Sequence, residues 1–155
     1  MKLLHALALS IALLVALWVC LSIGMPNLQL NPWIGFVAWA TFFAAGGGSQ
    51  ALGKSAFAAL AGVVLTAGTM WLVALAGGSL PALALLVAVL AFVLVAMADV
   101  AALSYTPAAF LGAATYFGAT GDTFEKALFV GLTWVAGLTF GYLSESFGKR
   151  MTRAA

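Results

Sequence analysis

The residues of this chain that could act on a small molecule are uncharged, and they flank two proline-marked breaks in its apolar segments. Amide and hydroxyl groups can hydrogen-bond a neutral polar solute, and aromatic rings can frame a narrow path for it. Such a candidate pathway comprises Gln29, Asn31, Trp33, Phe36, Thr41, Thr106, Phe110 and Thr115. The competing interpretation is structural, since Trp and Tyr collect at membrane interfaces and Thr and Asn cap helices.

The groups that catalysis requires are missing. The chain has one His and one Cys, no paired carboxylates, and no serine in a nucleophile-elbow context. General acid–base, nucleophilic and metal-assisted catalysis therefore lack their usual residues. The sequence predicts that the protein is not an enzyme and holds no metal or other cofactor. A formal charge of +2 from six scattered basic residues gives no indication of nucleic-acid binding.

Asp99 is the one acidic residue within a long apolar run, which makes it the candidate site for proton coupling. It lies roughly 28 Å along a helix from Leu80, at a rise of 1.5 Å per residue, so it could instead mark a membrane interface. Both interpretations of Asp99 stay open in the sequence, with the interface favoured.

Composition determines which elements must position these residues. Of 155 residues, 65% are hydrophobic and 6% are charged, whereas about a quarter of a soluble domain is charged. The chain is predicted to be a single all-α integral membrane domain, residues 1–155. Four runs are long enough to span a bilayer, at 3–25, 55–76, 80–103 and 124–147. Two shorter helices are predicted at 32–46 and 107–118, each opening near a proline.

The two short helices resemble each other in sequence. Residues 36–47 (FVAWATFFAAGG) and 110–121 (FLGAATYFGATG) agree at six positions at a constant offset of 74. Chance agreement in a chain so rich in Ala, Gly and Phe is the alternative to an internal duplication. A duplication would give repeats 3–77 and 80–147. The repeats would have opposite orientations if the short helices cross the membrane, and would be parallel if they re-enter.

Basic residues indicate the orientation. The cluster of Lys149, Arg150 and Arg153 predicts a cytoplasmic C-terminus, because positive residues concentrate in cytoplasmic segments. Small-x-x-x-small faces, such as Gly137-x-x-x-Gly141, allow close helix packing within one bundle or between copies. We expect a homo-oligomer in the lipid bilayer.

The whole chain, and especially NPWIGFVAWATFFAAGGG, resembles the uncharacterised YcdZ-like family of small bacterial inner-membrane proteins. That resemblance implies a multi-pass protein of the bacterial inner membrane and carries no activity.

A second resemblance, to bacterial urea transporters, rests on Asn31-Pro32-Trp33-Ile34-Gly35, which matches their N-P-x-x-G stretch, with Gln29 before it. The segment from Tyr105 to Phe110 is similar to their L-P-x-x-T-x-P-F motif, although Ser104 replaces its first proline and Pro107 follows Thr106 directly. The resemblance implies that Thr106 and Phe110 line a slot for urea. Since the chain is about half that family's length, it would correspond to one repeat and need a partner copy.

Together these patterns favour a channel or transporter for a small neutral solute, such as urea or another amide. Two alternatives remain: a non-transporting accessory or structural membrane subunit, and a proton-coupled carrier that uses Asp99.

Overall fold

The computed structural model of the chain describes residues 2–119 and 124–153, and all regular structure in these ranges is helical. Six α-helices follow one another: α1 Leu3–Ser22, α2 Pro32–Ala44, α3 Gly48–Leu75, α4 Leu80–Ala96, α5 Thr106–Gly118 and α6 Phe124–Arg153. Short 3-10 turns occupy Pro26–Leu28, Met97–Asp99 and Ala101–Leu103. Four helical stretches are long and apolar enough to span a membrane, at Leu3–Ser22, Gly48–Leu75, Leu80–Asp99 and Phe124–Thr152. The predicted all-α membrane fold is therefore confirmed.

The structure corrects the predicted start of the third helix. Residues 46–50 were expected to be a flexible terminator before a helix from 55, but α3 already begins at Gly48. The chain turns sharply there because Gly46, Gly47 and Gly48 all have positive φ angles. The Gly48 N–H then donates to the Glu145 carboxylate of α6 at 2.7 Å. An acceptor 97 residues away in sequence thus stabilises the start of α3.

The ends of two other helices also differ from expectation. α4 ends at Ala96, and the predicted helix to residue 103 continues only as two 3-10 turns. α6 extends past the predicted end at 147 to Arg153.

Contacts along α6 establish the directions of its neighbours. α1 runs opposite to α6, because Leu7 lies beside Gly148 whereas Trp18 packs on Phe140 further back along α6. α2 runs the same way as α6, since the backbone N–H of Asn31 meets Thr133 and the Gly48 N–H that follows α2 meets Glu145.

The second half of the chain shows the reverse directions. α5 begins where Tyr105 lies under Lys54 of α3. It ends where Gly118 lies against Trp33 at the start of α2, so α2 and α5 are antiparallel. All six helices therefore alternate in direction, and α1–α3 and α4–α6 form two three-helix units that run oppositely.

Each short helix packs against the last helix of the other unit, α2 on α6 and α5 on α3. A Cβ added to Gly62 of α3 would lie 2.1 Å from the Ala109 carbonyl oxygen of α5. A Cβ added to Gly137 of α6 would lie 2.5 Å from the Gly35 carbonyl oxygen of α2. Gly35 and Ala109 are separated by the same offset of 74 that relates the two sequence copies. The two helix crossings thus involve corresponding positions of the two sequence copies, and the duplication stays a prediction.

The small-residue faces noted in the sequence lie inside the bundle. Gly137 and Gly141 contact α2 at Gly35 and Phe42, and Gly112 would place an added Cβ 2.1 Å from the Ala59 carbonyl oxygen. These faces therefore serve packing within the chain. Gly121 of the second sequence copy, and Asp122 beside it, lie outside the described residues.

We expect Gly62→Ala to lower the free energy of unfolding by about 1–3 kcal/mol, because the new methyl group would meet a backbone carbonyl that cannot rotate away. Gly68→Ala is the matched control on the same helix, since nothing lies within 4 Å of an added Cβ there. Thermal unfolding of both variants in the same detergent checks this. Equal melting temperatures for the two variants would contradict the close crossing.

Glu145→Ala should lower the free energy of unfolding by about 1 kcal/mol, because it removes the carboxylate that caps α3. Glu145→Gln should restore part of the loss, as its amide oxygen can still accept from Gly48. Glu125→Ala, in the first turn of α6, is the acidic control. Hydrogen exchange of the amides at the start of α3 reports the cap directly, and unchanged protection in Glu145→Ala would refute it.

Candidate functional site

A small polar pocket lies where the start of α2 meets α6. Its volume is about 160 Å³. Four of its lining residues have polar side chains. Gln29 and Asn31 precede α2, and Lys126 and Thr133 belong to α6. The rest of the wall comprises Ile34, Ala119, Phe129 and Val130. The structure therefore brings two predicted site residues, Gln29 and Asn31, into one pocket.

Hydrogen bonds within this pocket leave one acceptor unused. Asn31 is the N-cap residue of α2, but its side chain makes no capping bond. Its backbone N–H instead donates to Thr133 Oγ1 at 3.3 Å. The Thr133 hydroxyl in turn donates to the Phe129 carbonyl at 2.8 Å. The side-chain oxygen of Asn31 is buried and has no hydrogen-bond partner among the described residues, so a donor group could be accommodated there.

The equivalent place in the other half lies at the opposite end of the bundle. Tyr105 precedes α5 as Asn31 precedes α2, and the Lys54 ammonium lies 5.2 Å from the centre of its ring. Ser55 precedes Gly62 by seven residues, and Val130, which lines the pocket, precedes Gly137 by seven residues. Because Gly62 and Gly137 lie at corresponding crossings, Ser55 is the counterpart of Val130. Ser55 is fully buried, and its hydroxyl has no hydrogen-bond partner among the described residues. Two unpartnered polar atoms thus occupy related positions near opposite faces.

Thr41 and Thr115, predicted to line the pathway, are buried and bonded internally. The Thr41 hydroxyl donates to the Val37 carbonyl at 2.7 Å, and the Thr115 hydroxyl donates to the Gly112 carbonyl at 2.8 Å. Thr115 also accepts the indole N–H of Trp134 at 2.7 Å. In this conformation Thr115 therefore links α5 to α6, whereas the Thr41 hydroxyl bonds within α2.

The predicted aromatic residues lie at the surface of the bundle. Phe36 is 45% exposed and Phe110 is 41% exposed. They line separate apolar grooves, Phe36 between α1 and α2 and Phe110 between α4 and α5. Trp33 is 42% exposed and lies against Gly118. Thr106 is half-buried at the start of α5, at the opposite end of the bundle from Asn31. The eight predicted pathway residues thus do not converge on a single cavity.

Asp99 is exposed, in the 3-10 turn that follows α4. This position agrees with the interface interpretation. Among the described residues, no Asp, Glu, Lys, Arg or His is buried, and no group of three metal-ligating side chains is found in these ranges.

Thr133 was missed by sequence reasoning. It lies within a long apolar helix and belongs to no motif, and only the direction of α2 along α6 brings it to Asn31. The available signal was its position four residues before Gly137, one helical turn from the crossing.

The fold defines a multi-pass helical membrane protein whose buried polar residues, in the described ranges, are all serine or threonine. The sequence model of DUF1097, described as a protein of unknown function, matches residues 8–149, and the chain belongs to that family. Searches of curated proteins and of solved structures found no match. The resemblances to YcdZ-like proteins and to urea transporters stay predictions.

Thr133→Val should lower the free energy of unfolding by about 1 kcal/mol, because it removes the acceptor of the Asn31 N–H while keeping the side-chain volume. Thr133→Ser should retain most of the stability. Thr139→Val is the matched control, since this exposed threonine on α6 bonds only to the Val135 carbonyl of its own helix. Thermal unfolding in detergent provides the measurement, and equal losses at the two threonines would show that the Asn31 contact contributes nothing.

Proposed function

We propose that the protein is a membrane carrier for a small neutral polar solute, such as urea or another amide, and that the pocket at Asn31 is its binding site on one face. The observation that carries this proposal is the buried side-chain oxygen of Asn31, which has no hydrogen-bond partner among the described residues. The Thr133 hydroxyl lies next to it, bonded to the Asn31 backbone N–H. An amide N–H is a donor that would satisfy it.

A volume of about 160 Å³ suits a solute of a few heavy atoms. The pocket belongs to the start of a short helix, and substrates of many transporters bind where helices are interrupted between inverted halves. The two oppositely directed units of this chain match that arrangement, and the position of Ser55 supplies a related polar group near the other face.

The described pockets are separate, and glycine–carbonyl contacts close the space between the halves. This closed arrangement favours a carrier, in which the halves move relative to each other, rather than a continuously open channel. We infer that the halves move relative to each other, so that the pocket at Asn31 and the region around Ser55 open in turn. The expected homo-oligomer and the cytoplasmic C-terminus belong to this proposal, with Lys2, Lys54, Lys149 and Arg150 on one side.

The same closed interior favours one alternative, a non-transporting accessory subunit. Its apolar outer surface, with exposed side chains such as Leu80 and Phe92 on α4, would then contact a larger membrane partner.

Stopped-flow light scattering on proteoliposomes, with urea, formamide and glycerol gradients, separates these functions. A carrier should accelerate solute uptake over empty vesicles. Asn31→Leu should reduce that flux about fivefold to tenfold, as expected for one lost hydrogen bond to the solute. Asn27→Leu is the matched control, because Asn27 is exposed in the same loop and does not line the pocket. If folded native protein accelerates the uptake of none of the three solutes, the result would contradict the carrier and favour the accessory subunit.

Asp99→Asn tests the proton-coupled alternative in the same vesicles. Because Asp99 is exposed at a helix end, we expect full flux in the variant at every pH. Loss of flux, together with loss of its dependence on a pH gradient, would instead establish Asp99 as the coupling site.

A further inference from the structure

A second cavity lies between α1 and α6, at the end of the bundle where the helix α1 begins and α6 ends. Its volume is about 370 Å³, and it is lined by Ser10, Leu13, Leu14, Phe147, Arg150 and Met151. The hydroxyl of Ser10 is already bonded to the Ser144 carbonyl at 2.8 Å. The wall therefore presents almost only hydrocarbon, to which Arg150 contributes the methylene groups of its side chain.

The charge of Arg150 is not compensated within the described residues. The neighbouring Lys149 pairs with Glu145, which also caps α3. No ion pair of Arg150 is found in these ranges, although its side chain is exposed at the cavity. Lys2 precedes α1 at the same end. A cationic group thus stands over an apolar cavity, with further positive charge nearby.

The antiparallel course of α1 and α6 orders these groups along the membrane normal. Arg150 lies one turn beyond Phe147 toward the end of α6, and Leu13 and Leu14 lie further along α1, away from that end. A charged group above and a hydrocarbon slot below match the two parts of a phospholipid. Arg is well suited to the phosphate because its guanidinium bonds two oxygens at once.

We propose that this cavity is a binding site for one anionic phospholipid, with the headgroup phosphate on Arg150 and an acyl chain along Leu13, Leu14 and Phe147. Basic pockets between membrane helices bind anionic headgroups in this manner. A second copy of the chain would bring another set of like charges to the same place, so it fits this site less well than a lipid. The site is independent of the proposed transport.

Native mass spectrometry of the purified protein tests the proposal. The protein is equilibrated in detergent with equal amounts of phosphatidylglycerol and phosphatidylcholine of identical acyl chains. We expect one retained phosphatidylglycerol in preference to phosphatidylcholine. Arg150→Gln should reduce that preference roughly fivefold, the effect of about 1 kcal/mol per basic residue. Leu13→Trp should reduce retention of the lipid by filling the slot, and its fold should persist because Leu13 is 63% exposed.

Lys149→Gln is the matched control, since it removes the same charge from the adjacent residue, outside the cavity. It should change the lipid preference much less than Arg150→Gln. Absence of any preference in the native protein would overturn the proposal. Equal losses in the two charge variants, with Leu13→Trp unaffected, would also overturn it, because they would show attraction to the overall positive charge alone.

Discussion

The close crossing of each short helix with the last helix of the opposite half is the constraint on which the rest of the structure depends. Gly62 and Gly137 let backbones approach until a carbonyl oxygen occupies the space of a side chain. In a membrane, where lipid is as apolar as the helices, such contact between backbones is a main source of association. The two crossings hold α2 and α5 antiparallel and so establish the opposed directions of the two halves.

Close packing also decides where polar chemistry is available. Buried side chains such as Thr115 and Trp134 hydrogen-bond to each other, as expected where no water reaches the backbone. Two buried polar atoms have no hydrogen-bond partner among the described residues: Asn31 Oδ1, directly before α2, and Ser55 Oγ, near the start of α3. The proposed solute site therefore lies near a face, and the proposed transport requires the halves to move.

The sequence predicts much of the fold, because apolar length and proline breaks are local signals. The sequence copies around Phe36 and Phe110 also indicate which positions of the two halves correspond, since Gly35 and Ala109 lie at equivalent crossings. What the sequence does not show depends on distant partners: Glu145 caps α3 across 97 residues, and Thr133 meets Asn31 across 102. For the same reason the sequence does not show that Phe36 faces a groove between α1 and α2, whereas Thr106 lies at the start of α5.

The opposed orientation of the two halves is tested most directly by cysteine accessibility in intact cells, on a chain with Cys20→Ser as background. Single cysteines at Asn27 and Ser79 report one end of the bundle, and cysteines at Ser49 and Ser104 report the other. A membrane-impermeant maleimide should label the first pair from one side and the second pair from the other, because α2 runs in the same direction as α6 between Thr133 and Glu145. Labelling of Asn27 and Ser49 from the same side would contradict the account, since α2 would then re-enter and the halves would be parallel.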